Sequence, residues 1–181
     1  DNSYSMAYEA DRPGARTHFD QAKVLVKQQI EKLVPGGGSV AIITAARPKL
    51  GEDGAPESQY VFRSSFNLDA ARSAVDGIEQ SYNGTDIAGA LQLAVQVAKE
   101  EQKQPQKFIY ILTDCTRSAW ENNLGDQLKQ IGREVAVQFG PRVRINDLSR
   151  QGQWNYGVLD IAPDGSLVTT NFHTDFLADV K

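Results

Sequence analysis

The sequence contains few of the residues that bind soft metals or form disulfides. Its 181 residues include one cysteine, Cys115, and two histidines, His18 and His173. A single cysteine excludes an internal disulfide and any thiolate-rich zinc or iron–sulfur site built from this chain alone. The histidines are far apart in sequence and lack a paired acid or nucleophile, which favours packed or solvated roles over catalysis. Any metal site would therefore use oxygen ligands.

Long apolar runs and excess positive charge are also missing. No run approaches the roughly 20 residues needed to cross a bilayer and no signal peptide opens the sequence, so residues 1–181 are expected to be soluble. The formal net charge of -4 argues against a sequence-independent nucleic-acid binder, which needs a basic face. With 40% hydrophobic and 23% charged residues, the composition is that of a globular protein.

Helix and strand patterns alternate along most of the chain. Apolar residues at helical spacing predict helices over residues 17–33, from a cap at Asn67, over 86–101 and over about 123–139. Short apolar runs predict strands over residues 40–45, 59–63, 107–113 and 142–148. This alternation predicts an α/β fold with a mainly parallel central sheet.

The last stretch of the chain changes character. Strand patterns cover residues 156–161, 167–170 and 176–180, with the turn Pro163-Asp164-Gly165 between them and no helix. The sequence therefore predicts an α/β domain over residues 1–148 and, over residues 149–181, the beginning of a β-sandwich of immunoglobulin-like type.

Oxygen-bearing side chains are predicted to meet at one end of the sheet. Asp1, Ser3 and Ser5 recur at every second position and would point to one side of an extended backbone. Thr85 lies in the loop before the third helix, and Asp114 follows the strand at 107–113. Ligands bind outside the carboxyl ends of parallel strands, so we expect these segments to converge there. Two carboxylates and three hydroxyls suit a hard cation, Mg²⁺ first and Mn²⁺ or Ca²⁺ otherwise.

This constellation resembles the metal-ion-dependent adhesion site of von Willebrand factor type A domains. The likeness includes the motif Asp1-x-Ser3-x-Ser5, the interval to Thr85, the apolar strand before Asp114 and the order of the helices. It implies a Rossmann-like three-layer α/β/α fold and a protein-binding, non-enzymatic function. It also implies that the three hydroxyls contact the metal, while the two aspartates bind it directly or through water. A partner's Asp or Glu would complete the coordination.

The resemblance covers roughly residues 1–148. The start of the chain also resembles one particular group within the family. The segment Asp1 to Met6, followed by such a domain and a nascent β-sandwich, looks like bacterial membrane-anchored proteins of the BatA type. This implies membrane association only through segments outside residues 1–181. The family places a buried strand immediately before the first aspartate, so we expect the first strand of the domain to lie upstream of Asp1.

A different class of function uses a related motif. Phosphotransferases and phosphatases with an aspartate nucleophile also place an Asp-x-Asp-like motif at a strand end and use Mg²⁺. Here position 3 is Ser3 rather than an acid, so no carboxylate is placed as a general acid, and no plausible catalytic lysine is evident. The sequence therefore favours a binding module with no nucleic-acid partner, and the enzyme remains the alternative.

Some residues near the predicted site have simpler interpretations. Thr85 could act as the N-cap of the third helix in addition to binding a metal. Cys115 is interpreted as a small, mostly buried residue without a functional role. Several large side chains in the surrounding loops are expected to include both partner-contacting and packing residues. These are Tyr4, Met6, Tyr8, Tyr82 and Trp120.

Overall fold

The computed structural model describes residues 1–9, 16–33, 38–52, 55–101, 106–121, 125–149, 158–163 and 176–180. The chain divides into two compact units, Asp1–Ser149 and Arg150–Lys181. The first unit begins with a short 3₁₀ helix, Tyr4–Ala7. Its α-helices are α1 (His18–Leu33), α2 (Leu68–Gly77), α3 (Ile87–Glu100), α4 (Arg117–Glu121) and α5 (Gly125–Phe139). Its strands are β1 (Val40–Ile43), β2 (Tyr60–Ser65), β3 (Ile109–Thr113) and β4 (Val143–Asp147).

Side-chain caps set the starts of the first two helices. The Thr17 hydroxyl accepts from the Asp20 backbone N–H at 3.1 Å, while the Asp20 carboxylate accepts from the Thr17 N–H at 3.2 Å. This reciprocal arrangement satisfies two donors that a helix start leaves unpaired. The Asn67 side chain accepts from the Ala70 N–H at 3.0 Å. Both predicted helix starts are confirmed.

The strands of the first unit pair in two separate ways. β3 and β4 are parallel and in register from Ile109 opposite Val143 to Thr113 opposite Asp147. β1 and β2 are antiparallel. β3 and β4 are joined through α4 and α5, a connection long enough for a parallel crossover. Between β1 and β2, the described residues contain no helix. The prediction of a mainly parallel sheet is therefore met only by β3 and β4, because the described residues form no single continuous sheet.

Helices pack on both faces of these strands. Leu112 of β3 packs with Met6, Phe19 and Ala22 on the side of α1. Ile109 and Ile111 of the same strand pack against the cluster formed by α3 and α5. A third cluster joins α1, α2 and β1 through Ile30, Ala71, Val75 and Ile42, and the partly buried Phe62 of β2 packs against it. The alternation along β3 gives a layered α/β arrangement, with helices packed on both sides of this strand.

The second unit contains the antiparallel pair β5 (Val158–Pro163) and β6 (Phe176–Val180). Pro163 lies in β5 rather than in a turn. The predicted strand over 167–170 and the turn residues Asp164 and Gly165 lie outside the described residues. Across both units, none of the described helices has the length and apolar character required to cross a membrane.

Candidate functional site

The Asp1–Ser5 segment folds into a tight turn. Ser3 is extended (φ -68°, ψ 170°), but the chain then winds into the 3₁₀ helix, with the Met6 N–H donating to the Ser3 carbonyl at 3.0 Å. The expectation of an extended backbone through Ser5 is therefore wrong, because hydrogen bonds between residues three apart coil this stretch. The Ser3 and Ser5 hydroxyl oxygens nevertheless lie 3.3 Å apart, and the Ser3 N–H donates to the Asp1 carboxylate at 2.9 Å.

Thr85 joins this cluster from a distant part of the chain. Its hydroxyl donates to the Ser3 hydroxyl at 2.9 Å. An isolated antiparallel bridge joins the backbone of Thr85 to that of Ala46, which lies in the segment after β1. The N-cap of α3 is Asp86, whose carboxylate accepts from the Gly89 N–H at 3.0 Å. The interpretation of Thr85 as the cap is therefore wrong, and its hydroxyl is directed into the site.

Asp114 comes directly after β3 and is almost completely buried, with 6% of its surface exposed. Its Oδ1 atom is buried and has no hydrogen-bond partner among the described residues. An ionised carboxylate oxygen loses much of its hydration when it is buried, and without a compensating partner this costs free energy. A bound cation would compensate that cost.

Asp1 is tied to the same end of β3. Its carboxylate accepts a 2.9 Å hydrogen bond from the hydroxyl of Thr113, which is fully buried. Its α-amino group donates to the Leu112 carbonyl at 2.8 Å. Burial lowers the pKa of that amino group to about 6, while the charge of Asp114 acts in the opposite direction. Asp1 and Asp114 therefore both lie at the carboxyl end of β3.

Cys115 follows in a left-handed backbone conformation, with φ of 52°. Its N–H donates to the Thr113 hydroxyl at 3.2 Å, so that hydroxyl both accepts and donates. Burial raises the pKa of the Cys115 thiol, and Asp147 and Asp114 raise it further. The thiol is half-buried, and its raised pKa is consistent with an unreactive side chain.

Asn2 is a structural residue of the site that sequence reasoning missed. Its buried side-chain amide donates to the Glu79 carbonyl at 3.1 Å and accepts from the Ala46 N–H at 3.1 Å. Its backbone carbonyl accepts from the Ser81 N–H at 2.8 Å. Asn2 thus holds the Asp1–Ser5 turn against two other loops. The only signal in the sequence is its place inside the motif, which does not reveal these partners.

The large side chains near the site divide into packing and exposed residues. Met6 is fully buried, and the partly buried Trp120 packs against the core beside α3 and α5. The Tyr8 ring contacts the ring of the buried His18, with centroids 5.5 Å apart. Tyr4 and Tyr82 are 64% and 86% exposed. Only the last two are prominent surface residues of the loops that carry Ser3, Ser5 and Thr85.

The donor chemistry of the five candidate residues fits a hard cation. Among the described residues, no group of three or more His, Cys, Asp or Glu side chains is arranged to hold a metal ion. The candidate set is made of oxygen alone, with two carboxylates and three hydroxyls, and this is the type of ligand that Mg²⁺ and Ca²⁺ prefer.

Comparison with known proteins assigns the chain to a family. No significant match to a curated protein is found. The sequence profile of the von Willebrand factor type A domain matches residues 1–116, a stretch that contains all five candidate residues. Domains of this kind have a Rossmann-like α/β fold and are generally metal-dependent protein-interaction modules without enzymatic activity. Because the match spans more than half of the sequence and the fold agrees, the chain belongs to the von Willebrand factor type A domain family.

Proposed function

We propose that this chain binds one divalent cation, Mg²⁺ or else Mn²⁺ or Ca²⁺, at a metal-ion-dependent adhesion site and through it an acidic side chain of a partner protein. The ligands in this proposal are Asp1, Ser3, Ser5, Thr85 and Asp114. The family supports the general class of function, a protein-interaction module that depends on a metal. The specific site and the capture of an Asp or Glu are the proposal.

The strongest support is the meeting of three hydroxyls from two distant segments. The Ser3 oxygen lies 3.3 Å from the Ser5 oxygen and 2.9 Å from the Thr85 oxygen. Hydroxyl groups keep additional lone pairs and can rotate toward a cation. The buried Oδ1 of Asp114, which has no hydrogen-bond partner within the described part of the chain, belongs to a negative group that a cation would neutralise.

The ligand charges explain how such a site would bind an outside acid. Asp1 and Asp114 provide two negative charges, and the three hydroxyls are neutral, so the protein ligands at most balance a divalent charge. A bound cation would supply a positive centre able to accept one more carboxylate oxygen. A partner's Asp or Glu has this chemistry.

The alternative of an aspartate-nucleophile phosphotransferase has less support. One Asp1 carboxylate oxygen accepts from the Ser3 N–H and the other accepts from the Thr113 hydroxyl. These bonds stabilise the carboxylate charge and lower its nucleophilicity. Ser3 also stands where such enzymes carry a second acid, and domains of this family typically are not enzymes.

Titration calorimetry with MgCl₂, MnCl₂ and CaCl₂ tests the proposed site. We expect one cation per chain and a loss of about tenfold or more in affinity for Asp114→Ala and Ser3→Ala, because each removes a ligand. Ser73→Ala is a matched control, since the hydroxyl of the exposed Ser73 donates to the Asp69 carbonyl within α2, away from the candidate ligands. Absence of cation binding, or equal binding by all variants, would overturn the proposal.

The proposal extends to the rest of the protein. We assign the first unit, Asp1–Ser149, to the metal-binding domain and the second to the beginning of an immunoglobulin-like domain. By resemblance to BatA-type proteins, the full-length protein would be bacterial and anchored to the membrane by segments outside residues 1–181. Membrane fractionation of the full-length protein tests the anchoring, and recovery in the soluble fraction would contradict it.

A further inference from the structure

We propose that Arg47, Tyr4 and Tyr82 form a rim beside the candidate metal site that binds a partner segment carrying two acidic residues. One carboxylate would bind the cation and the second would pair with Arg47, while the tyrosine rings contact the segment between them. This inference rests on the proposed function and adds the chemistry of the partner.

The two tyrosines are exposed to an unusual degree for large aromatic side chains. Tyr4 is 64% exposed and Tyr82 is 86% exposed. Tyr4 lies between Ser3 and Ser5, and Tyr82 lies three residues before Thr85. Exposed tyrosines are enriched in protein interfaces, where they supply a large contact area and a polar hydroxyl. Both rings project from the loops that carry the candidate ligands.

Hydrogen bonds fix these loops relative to one another. The Tyr4 N–H donates to the Asn83 carbonyl at 3.0 Å, next to Tyr82. The Asn83 side-chain amide donates to the Arg47 carbonyl at 3.0 Å, and the Arg47 N–H donates to the Gly84 carbonyl at 2.8 Å. The backbones of the three rim residues are thus cross-linked. A partner would meet a preorganised surface, which reduces the entropy lost on binding.

Arg47 supplies a positive charge at this surface. Its side chain is exposed, and no carboxylate among the described residues forms an ion pair with its guanidinium. It follows Ala46, which bridges to Thr85. A divalent cation would balance the charges of Asp1 and Asp114, which leaves the guanidinium of Arg47 available to a further carboxylate. A second carboxylate complements that charge, because guanidinium and carboxylate form paired hydrogen bonds.

Blocked glycine–serine octapeptides provide the probe. One peptide carries a single aspartate, and three others carry two aspartates separated by one, two or three residues. Binding is measured by nuclear magnetic resonance titration of the 181-residue chain in saturating Mg²⁺. We expect at least one two-acid peptide to bind about 3- to 10-fold more tightly than the one-acid peptide, as a single partly exposed ion pair would give.

Substitutions test whether the rim residues cause the tighter binding of the two-acid peptides. Arg47→Gln should abolish the difference between one-acid and two-acid peptides, and Arg47→Lys should retain part of it. Arg133→Gln, which removes the same charge from an exposed position on α5, should leave the difference unchanged. Tyr82→Ala should weaken every peptide about 3-fold or more, whereas Phe66→Ala, at a residue 57% exposed elsewhere, should not.

The outcomes separate this inference from the proposed function. Equal binding of all peptides, or a two-acid advantage that persists in Arg47→Gln, would contradict the proposed rim. The proposed function would still hold if the chain binds Mg²⁺ and binds the one-acid peptide in a Mg²⁺-dependent manner. Failure of the chain to bind Mg²⁺ in the absence of peptide would overturn both. Loss of the advantage in Arg47→Gln, with Mg²⁺ affinity unchanged, would support the rim.

Discussion

The hydroxyl of Thr113 donates a 2.9 Å hydrogen bond to the carboxylate of Asp1, which lies 112 positions away in sequence. Thr113 has no exposed surface, and its hydroxyl also accepts from the Cys115 N–H at 3.2 Å. Because the Thr113 oxygen accepts from the Cys115 N–H, the hydroxyl proton of Thr113 points toward the Asp1 carboxylate. Thr113 is thus a positioning residue that orients Asp1 without being one of the five proposed ligands.

Removing this hydroxyl should weaken metal binding. For Thr113→Val, which preserves the branched shape, we expect the Mg²⁺ dissociation constant to rise about tenfold because Asp1 loses its orienting donor. The free energy of unfolding should fall by about 1.5–3 kcal/mol, as for hydrogen bonds to charged groups. Titration calorimetry and urea denaturation measure the two quantities.

The serine variant separates orientation from packing. Thr113→Ser keeps the hydroxyl and removes a buried methyl group, so it should lose about 1 kcal/mol of stability and keep the Mg²⁺ affinity within about twofold. Weak Mg²⁺ binding by the serine variant, or full affinity in the valine variant, would show that the hydroxyl does not orient Asp1.

Asp114→Asn should change stability in opposite directions with and without metal. In the 181-residue chain at pH 8, the Asp1 α-amino group, whose pKa burial lowers to about 6, is mostly uncharged and attracts Asp114 little. Replacing this buried carboxylate, whose Oδ1 has no hydrogen-bond partner among the described residues, by a neutral amide should then raise the melting temperature of the metal-free protein by a few degrees. In saturating Mg²⁺ the wild type should be the more stable, because it binds Mg²⁺ more tightly and so gains more binding free energy.

Differential scanning calorimetry at several Mg²⁺ concentrations tests this reversal. Asp76→Asn is the matched control, because Asp76 is an exposed residue of α2 whose partner is Lys27. Its effect on melting should be independent of Mg²⁺. A metal-free Asp114→Asn protein that melts below the wild type would contradict the view that this carboxylate destabilises the protein without a cation.

Much of the fold follows from local patterns in the sequence. Thr17, Asn67 and Asp86 are residue types that cap helices, and each does so at the start of an apolar helical pattern. The β3 strand is predicted by its apolar run. Ile109 and Ile111 pack on one face and Leu112 on the other, although Tyr110 is 44% exposed. α4 was not predicted because five residues, Arg117–Glu121, carry too little periodicity to be recognised.

The candidate site could be predicted only in part. Convergence of Ser3 and Thr85 follows from the positions of their segments around the sheet, and the 2.9 Å contact agrees with it. Metal binding by these side chains stays a prediction. The roles of Asn2 and Thr113 were missed because they depend on partners far away in sequence, and one polar residue inside a buried pattern does not identify its partner.

Asn2→Leu should destabilise the whole site. Leucine resembles asparagine in shape but leaves the buried Ala46 N–H without a partner, which costs about 1–3 kcal/mol. It also removes the donor to the carbonyl of Glu79, an exposed residue, which adds a smaller loss. We expect a loss of about 2–4 kcal/mol in urea denaturation. Asn67→Ala, which removes an exposed helix cap, should cost only about 1 kcal/mol. Comparable losses in the two variants would show that Asn2 is not a structural centre of the site.

Cys115 offers a test of backbone strain beside the site. Its φ of 52° lies in the left-handed region, which costs a residue with a side chain about 1–2 kcal/mol. Cys115→Gly removes this cost but increases the entropy of the unfolded chain, so we expect a net gain of about 0.5–1 kcal/mol. Cys115→Val should lose more than about 1 kcal/mol, because a β-branched residue tolerates this conformation poorly. Thermal denaturation under reducing conditions measures both variants, and a glycine variant less stable than the wild type would mean that side-chain contacts of Cys115 outweigh its strain.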